Sequence, residues 1–226
     1  MKFSIHSRVP PIYIYRRERI GQICDALCMT EAPRSVIGVA LNFAASQPPP
    51  QAPVLYLKTP NTWIKPGDHI PCPSGLPGLR CAGTLGIVIS RHACRVAAGN
   101  AFDFIAGFTV VNDVSIPHDS LFRPAIRQRC FDASCAIGET CPQINGQSAF
   151  EIGVVINNVL RSVANTSALV RSIPSLIQDI SEFMTLREGD ILLVGEPETS
   201  PVAHPGDNVR VEIPGVGAIE NRVVAA

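Results

Sequence analysis

The apolar residues of this chain fall into short runs cut by turn formers, and that punctuation limits the fold more than any other feature. Twenty prolines and 17 glycines separate apolar runs at 36–41, 54–58, 85–89, 108–111 and 191–194 from one another and from the strand-like segments 208–213 and 218–224. Each has the length of a strand and is too short for a stable helix. The run at 85–89 is apolar without a break, as a strand buried on both faces is. Phe150, Ile152, Val154 and Ile156 alternate with Glu151, Gly153, Val155 and Asn157, the period of a strand with one wetter face. Only Ile173, Leu176, Ile177, Ile180, Phe183 and Met184 recur at helical spacing, with Ser172 placed to cap and Pro174 in the first turn. Residues 102–106 read as a helical turn before the strand at 108–111, which delivers Asn112 and Asp113 at its end. Polar groups in that position are candidates for a site. This order points to an α+β, mostly β domain rather than a doubly wound sheet.

A chain of 226 residues with 46% hydrophobic content can bury one large core. The expected division is an N-terminal arm and short helix over 1–34, then a single domain over 35–226. The basic knot Arg16, Arg17 and Arg19 is interrupted by Glu18 and reads as a solvated face. Nineteen basic and 19 acidic residues cancel, so no long-range field favours nucleic acid or anionic lipid. No apolar stretch is long enough to span a bilayer and the start of the chain lacks a secretory apolar block, so a cytoplasmic protein is expected. Eight cysteines contain no C-x-x-C pair and five histidines no H-x-x-x-H pair, so buried free thiols are the better reading than zinc. Neither a GxGxxG nor a P-loop is present, and a nucleotide cofactor has no support.

Five segments then stand in a telling order: Ile37-Gly38-Val39-Ala40-Leu41-Asn42; Leu57-Lys58-Thr59-Pro60; Leu85-Gly86-Ile87-Val88-Ile89; Ala106-Gly107-Phe108-Thr109-Val110-Val111-Asn112-Asp113-Val114-Ser115; and Phe183-Met184-Thr185-Leu186 through Gly189-Asp190-Ile191-Leu192 to Gly195. Together they resemble the fumarylacetoacetate hydrolase superfamily over 36–224. The resemblance implies a β-rich fold of mixed sheets with few helices. Phe122-Arg123-Pro124-Ala125-Ile126, with Cys130, Cys135 and Ile137-Gly138-Glu139-Thr140, is similar to the branch that isomerises and decarboxylates intermediates of homoprotocatechuate breakdown. That branch implies decarboxylation of 5-oxopent-3-ene-1,2,5-tricarboxylate and isomerisation of 2-hydroxyhepta-2,4-diene-1,7-dioate. A wider resemblance leaves a carbon–carbon bond hydrolase as an alternative.

Such steps leave an enol or dienolate whose charge must be met by something positive. In the superfamily this is usually a divalent cation, Mg or Mn, held by a Glu-x-Glu on one strand and an Asp on another. Here the Glu-x-Glu positions are Ala82 and Thr84, leaving Asp113 as the family-type metal ligand. The sequence departs twice more. Phe43-Ala44-Ala45-Ser46 replaces an aromatic-x-x-His arrangement, and Val194-Gly195-Glu196-Pro197 replaces Thr-Gly-Thr-Pro. A carboxylate at Glu196 would repel an anionic substrate unless it turned outward or carried a proton.

Lys58 resembles the family's substrate-contacting lysine and Arg129 stands where the family often has another. With Asp113 they are the candidate catalytic residues, and Lys58, Arg123, Arg129 and Glu196 are the candidate substrate contacts. Guanidinium forks match a di- or tricarboxylate. The alternatives are structural: ion pairs of Arg123 and Arg129 with Asp119 and Asp132, and a turn-fixing role for Asp113. Glu139 is an acid/base candidate or a cap. Because the family includes proteins of two fused homologous halves, a homo-oligomer or a hetero-oligomer with a homologous second subunit is expected. A catalytically degenerate subunit supporting a metal-competent partner is a further alternative.

Overall fold

The computed structural model describes residues 33–43, 52–118, 125–142 and 149–226. The expected arm and helix over 1–34, and Arg123 with Asp119, therefore lie outside the described residues apart from Pro33 and Arg34. The strands in chain order are β1 (Val36–Ala40), β2 (Val54–Lys58), β3 (Trp63–Ile64), β4 (His69–Cys72), β5 (Leu79–Ile89), β6 (Ile105–Ser115), β7 (Cys135–Ile137), β8 (Cys141–Pro142), β9 (Glu151–Ile156), β10 (Val159–Asn165), β11 (Ile191–Leu193), β12 (Val202–Ala203), β13 (Asn208–Ile213) and β14 (Gly217–Ala225). Among the described residues the α-helices are α1 (Ile126–Arg129) and α2 (Ile173–Phe183), with short 3-10 turns at Pro60–Thr62, Ala98–Phe104 and Thr166–Ala168.

They form two mixed sheets. One runs β2-β1-β11-β5-β6-β7-β3, with β12 on β5 and β8 on β6; the other runs β10-β9-β13-β14-β4. Pairings are antiparallel except for β1 with β11, β14 with β4 and β3 with β7. The expected α+β, mostly β class with few helices is what the chain adopts.

The sheets pack face to face, and strand parity decides which residues meet. Cys81, Leu85 and Ile87 of β5 and Phe108, Val110 and Val114 of β6 join Ile152, Val154, Val211 and Ile213 of the other sheet in one buried core. Gly83 sits at the closest approach: a Cβ there would press on Val154, Val211 and Ile152. Phe108 and Phe150 meet across the layers with ring centroids 4.9 Å apart. The opposite face of β5 and β6 carries Ala82, Thr84, Val111 and Asp113, beside a smaller cluster of Val36, Val88, Cys135, Ile191 and Leu193. The site is built on that second face.

Helix α2 starts as its sequence dictates. The Ser172 hydroxyl accepts from the Ser175 N–H, Pro174 lies in the first turn, and Ile173, Leu176, Ile177 and Ile180 are buried. One expectation is corrected. The strand at 108–111 is the middle of an 11-residue strand, so Asn112 and Asp113 are interior positions rather than a strand end. β6 continues through them in its ladders with β5 and β7, and the buried Asp113 carboxylate finds its counter-charges in Lys58 and Arg129.

Candidate active site

Lys58 closes β2 with its ammonium fully buried, at 1% exposure. The group is caged by oxygen: it donates to the carbonyls of Val114 at 2.7 Å, Arg129 at 2.6 Å and Ser134 at 3.0 Å, with the Ser134 hydroxyl at 3.3 Å. Asp113 Oδ1 stands 2.9 Å away but receives no aligned N–H, because the carbonyls take the ammonium's protons. The approach is one of charge to charge, in a place water does not reach. Lys58 thereby ties β2 to β6, to the end of α1 and to the turn before β7.

The other oxygen of Asp113 accepts from the Tyr56 hydroxyl and lies 3.6 Å from Arg129 Nη1. Tyr56 precedes Lys58 by two residues and so shares its face. Its ring lies over Gly38, the residue opposite it in the β1–β2 ladder, where any Cβ would overlap the phenol. Gly38 therefore makes room for Tyr56. Above the ring, at 4.1 Å from its centroid, sits the Arg129 guanidinium. Arg129 Nη2 pairs with Glu196 Oε1, while Oε2 of Glu196 has no hydrogen-bond partner. Burial, and then the charge of Asp113, holds the Tyr56 phenol well above its ordinary range. Burial alone would weaken the proton affinity of Arg129, but Tyr56, Asp113 and Glu196 outweigh it, and the guanidinium is held above its usual value.

The structure thus brings Lys58, Asp113, Arg129 and Glu196 into one cluster, and adds Tyr56. Arg129 pairs with Asp113 and Glu196 rather than with Asp132, whose carboxylate accepts from Asn61. Glu196 neither turns outward nor stands unpaired; it points at Arg129. Glu139 is elsewhere, lining a cleft of about 1070 Å³ with Trp63, Lys65, Asp68 and Ile219.

The family's cation positions can be tested directly. Ala82 lies opposite Asp113 in the β5–β6 ladder, and Thr84 is two residues along on the same face, so three acids at these positions would converge. Their occupants do not suit a divalent ion. Ala82 offers no donor, the Thr84 hydroxyl is committed to Gly195 O at 2.6 Å, and Asp113 is already surrounded by Lys58, Tyr56 and Arg129. Among the described residues no three His, Cys, Asp or Glu side chains converge as a metal site. As they stand, these three positions do not offer the carboxylate set that holds a divalent ion in the family.

Cys135 stands opposite Asp113 on β7, and burial pushes its thiol up to about 12, as it does that of Cys81. Neither is reactive at neutral pH. Iodoacetamide is expected to label the exposed Cys94 in the native protein and to spare Cys81 and Cys135 until denaturant is added, as read by peptide mass mapping. Native labelling of Cys135 would show that the packing around Lys58 opens.

Residues 22–224 match the family model described as fumarylacetoacetate (FAA) hydrolase C-terminal. The homoprotocatechuate catabolism bifunctional isomerase/decarboxylase of Escherichia coli is 39% identical over 176 residues, which is 78% of this chain and 41% of that protein. The chain thus spans less than half the length of this relative. The crystal structure of 5-carboxymethyl-2-hydroxymuconate delta-isomerase from Mycobacterium smegmatis superposes with a TM-score of 0.77 at 30% identity, covering 86% of this chain and 80% of that one. Maleylpyruvate hydrolase from Sphingobium sp., solved with manganese(II) and pyruvate, gives a TM-score of 0.75 at 26% identity over 86% of this chain and 71% of that one.

Proposed function

This chain belongs to the fumarylacetoacetate hydrolase family, and from that premise we propose that it is an isomerase/decarboxylase subunit of aromatic catabolism. Its substrates on this reading are 5-oxopent-3-ene-1,2,5-tricarboxylate and 2-hydroxyhepta-2,4-diene-1,7-dioate. The observation that carries the reading is the Arg129 guanidinium, held over Tyr56 between Asp113 and Glu196 and beside the buried Lys58 ammonium. Two fixed cations stand on the face where the family places its reacting centre. A guanidinium preorganised at low dielectric can hold a substrate carboxylate and meet charge developing on the adjacent oxygen without rearranging. Tyr56, held protonated beneath that guanidinium, fixes Asp113 through its hydroxyl.

On this reading the charge of an enolate is met by the chain's own side chains. Turnover of the dienedioate, followed by ultraviolet absorbance, is expected to change less than twofold when EDTA is added. It is expected to fall about 100-fold or more in Arg129→Met, the order of loss seen when one preorganised donor to a developing oxyanion is removed. Loss of turnover on chelation would sink the metal-free reading.

A second reading is favoured by one specific observation: Lys58 and Asp113 are engaged with each other and with backbone, and the cluster's charges cancel. A site so closed suits a degenerate subunit that supports a metal-competent homologous partner, in a hetero-oligomer. Turnover that appears only when such a homologue is added would select this reading, and release of a hydrolytic product would select the hydrolase.

A further inference from the structure

Glu196 has no counterpart in the Thr-Gly-Thr-Pro loop that the family resemblance implies, yet it makes the most exposed contact of the charged cluster. Of the groups around Arg129, Asp113 is fully buried on an interior strand and fixed by Lys58 and Tyr56, whereas the Glu196 side chain is 11% exposed and follows the end of β11. One of its oxygens bonds Arg129 and the other bonds nothing. The backbone before it is pinned: Asn42 Nδ2 donates to Val194 O at 2.8 Å, and the Thr84 hydroxyl to Gly195 O at 2.6 Å. Gly195 adopts φ +136°, with Asn42 and Val39 packed where a Cβ would stand. With the backbone held at Val194 and Gly195, withdrawal of the carboxylate calls for rotation of the Glu196 side chain alone.

Charge decides whether it withdraws. Lys58 and Arg129 balance Asp113 and Glu196, so the cluster is neutral as it stands. A ligand carboxylate brought to Arg129 with Glu196 in place would leave a net negative charge in a nearly water-free site, which is strongly unfavourable. With Glu196 rotated out to solvent the cluster carries one positive charge, matched to one incoming carboxylate. The guanidinium meets the same chemistry in either state.

We propose that Glu196 is an internal carboxylate that occupies the ligand's place on Arg129, so that binding is an exchange of one carboxylate for another. The proposal rests on the reading of Arg129 as the group that receives a carboxylate ligand, and adds how that ligand gains access. The consequence is selectivity: a neutral compound cannot replace the charge that Glu196 removes, and only an anion displaces it.

The test is calorimetric titration of the full chain with 2-oxoglutarate, a stable 2-oxo dicarboxylate, in the wild type, Glu196→Gln and Glu196→Ala, each accompanied by a thermal melt. Glu196→Gln is expected to bind the probe at least about 10-fold more tightly than the wild type. Its free form melts lower because Arg129 has lost a charged partner, and the probe raises its melting temperature further than it raises that of the wild type. A side chain that only braced the fold would lower the melt without tightening binding, and that result overturns the proposal, as does absence of binding in all variants. Should Glu196→Gln fail to fold, Glu196→Asp draws the carboxylate back from Nη2 and is expected to show a smaller gain in the same direction; no gain overturns the exchange. Turnover is read separately. Tightened binding without conversion of the dienedioate would sink the functional reading and leave the exchange standing, whereas conversion without tightening would do the reverse.

Discussion

Asp113→Ala is expected to cost about 3–5 kcal/mol of folding stability, the range found when one partner of a buried ion pair is removed. The cause is what remains rather than what is lost. Lys58 would keep its carbonyl cage but no counter-charge, and Arg129 would keep only Glu196. The effect should therefore depend on Lys58. In Lys58→Met/Asp113→Leu both charges are gone and apolar bulk fills the space, so the double variant should be clearly more stable than the sum of its single losses predicts. Urea unfolding of the wild type, Asp113→Ala, Lys58→Met, Asp113→Leu and the double variant measures all of this. A loss below about 1 kcal/mol for Asp113→Ala, or simple additivity in the cycle, would mean that the two charges do not sense each other and that the cluster is not the electrostatic unit described above.

The same cluster shows where a linear reading of the chain succeeds and where it stops. Lys58 and Asp113 can be named from the sequence because each lies in a motif whose order matches a family, and Arg129 because it stands where that family often has a lysine; the structure gathers all three. α2 was legible because its cap, its proline and its apolar stripe agree with one another. β6 runs past the end that a local window assigns it, since Asn112, Asp113 and Ser115 look like an exit from the core. Asp113 remains inside because the neutralising ammonium arrives from β2, a contact no local window contains, and Asn112 and Ser115 are held there by the backbone ladder with β5. Tyr56 left a usable signal: it is two residues from Lys58 and shares its face. What could not be read was its seat over Gly38, which depends on the β1–β2 register. β10 was invisible for a different reason. It is an edge strand with Val159, Leu160 and Val163 exposed, so its burial does not follow its hydrophobicity. β4 was hidden by Pro71, which an edge strand tolerates.

Ala82→Glu/Thr84→Glu is expected to make the stability of the protein depend on a divalent cation. Ala82 and Thr84 are 0% and 1% exposed, on the face that carries Asp113. Two carboxylates there, in a cluster whose charges already cancel, have no positive partner. Without metal the variant should lose several kcal/mol, on the order of 4 or more, from desolvated and mutually repelling charge. Bulk contributes as well, and Ala82→Gln/Thr84→Gln isolates it: the Glu pair should be much the less stable of the two. Mn²⁺ should then separate them further. An ion bound only by the folded state adds about 4 kcal/mol at 1,000 times its Kd, so the melting temperature of the Glu pair should climb with Mn²⁺ while the Gln pair and the wild type stay flat. A wild-type melt that rises over the same Mn²⁺ range would show that Asp113 still holds a cation despite Lys58. If the Glu pair is stable without metal and indifferent to it, the side chains at 82, 84 and 113 do not converge as the ladder places them, and the site lies on another face of the sheet.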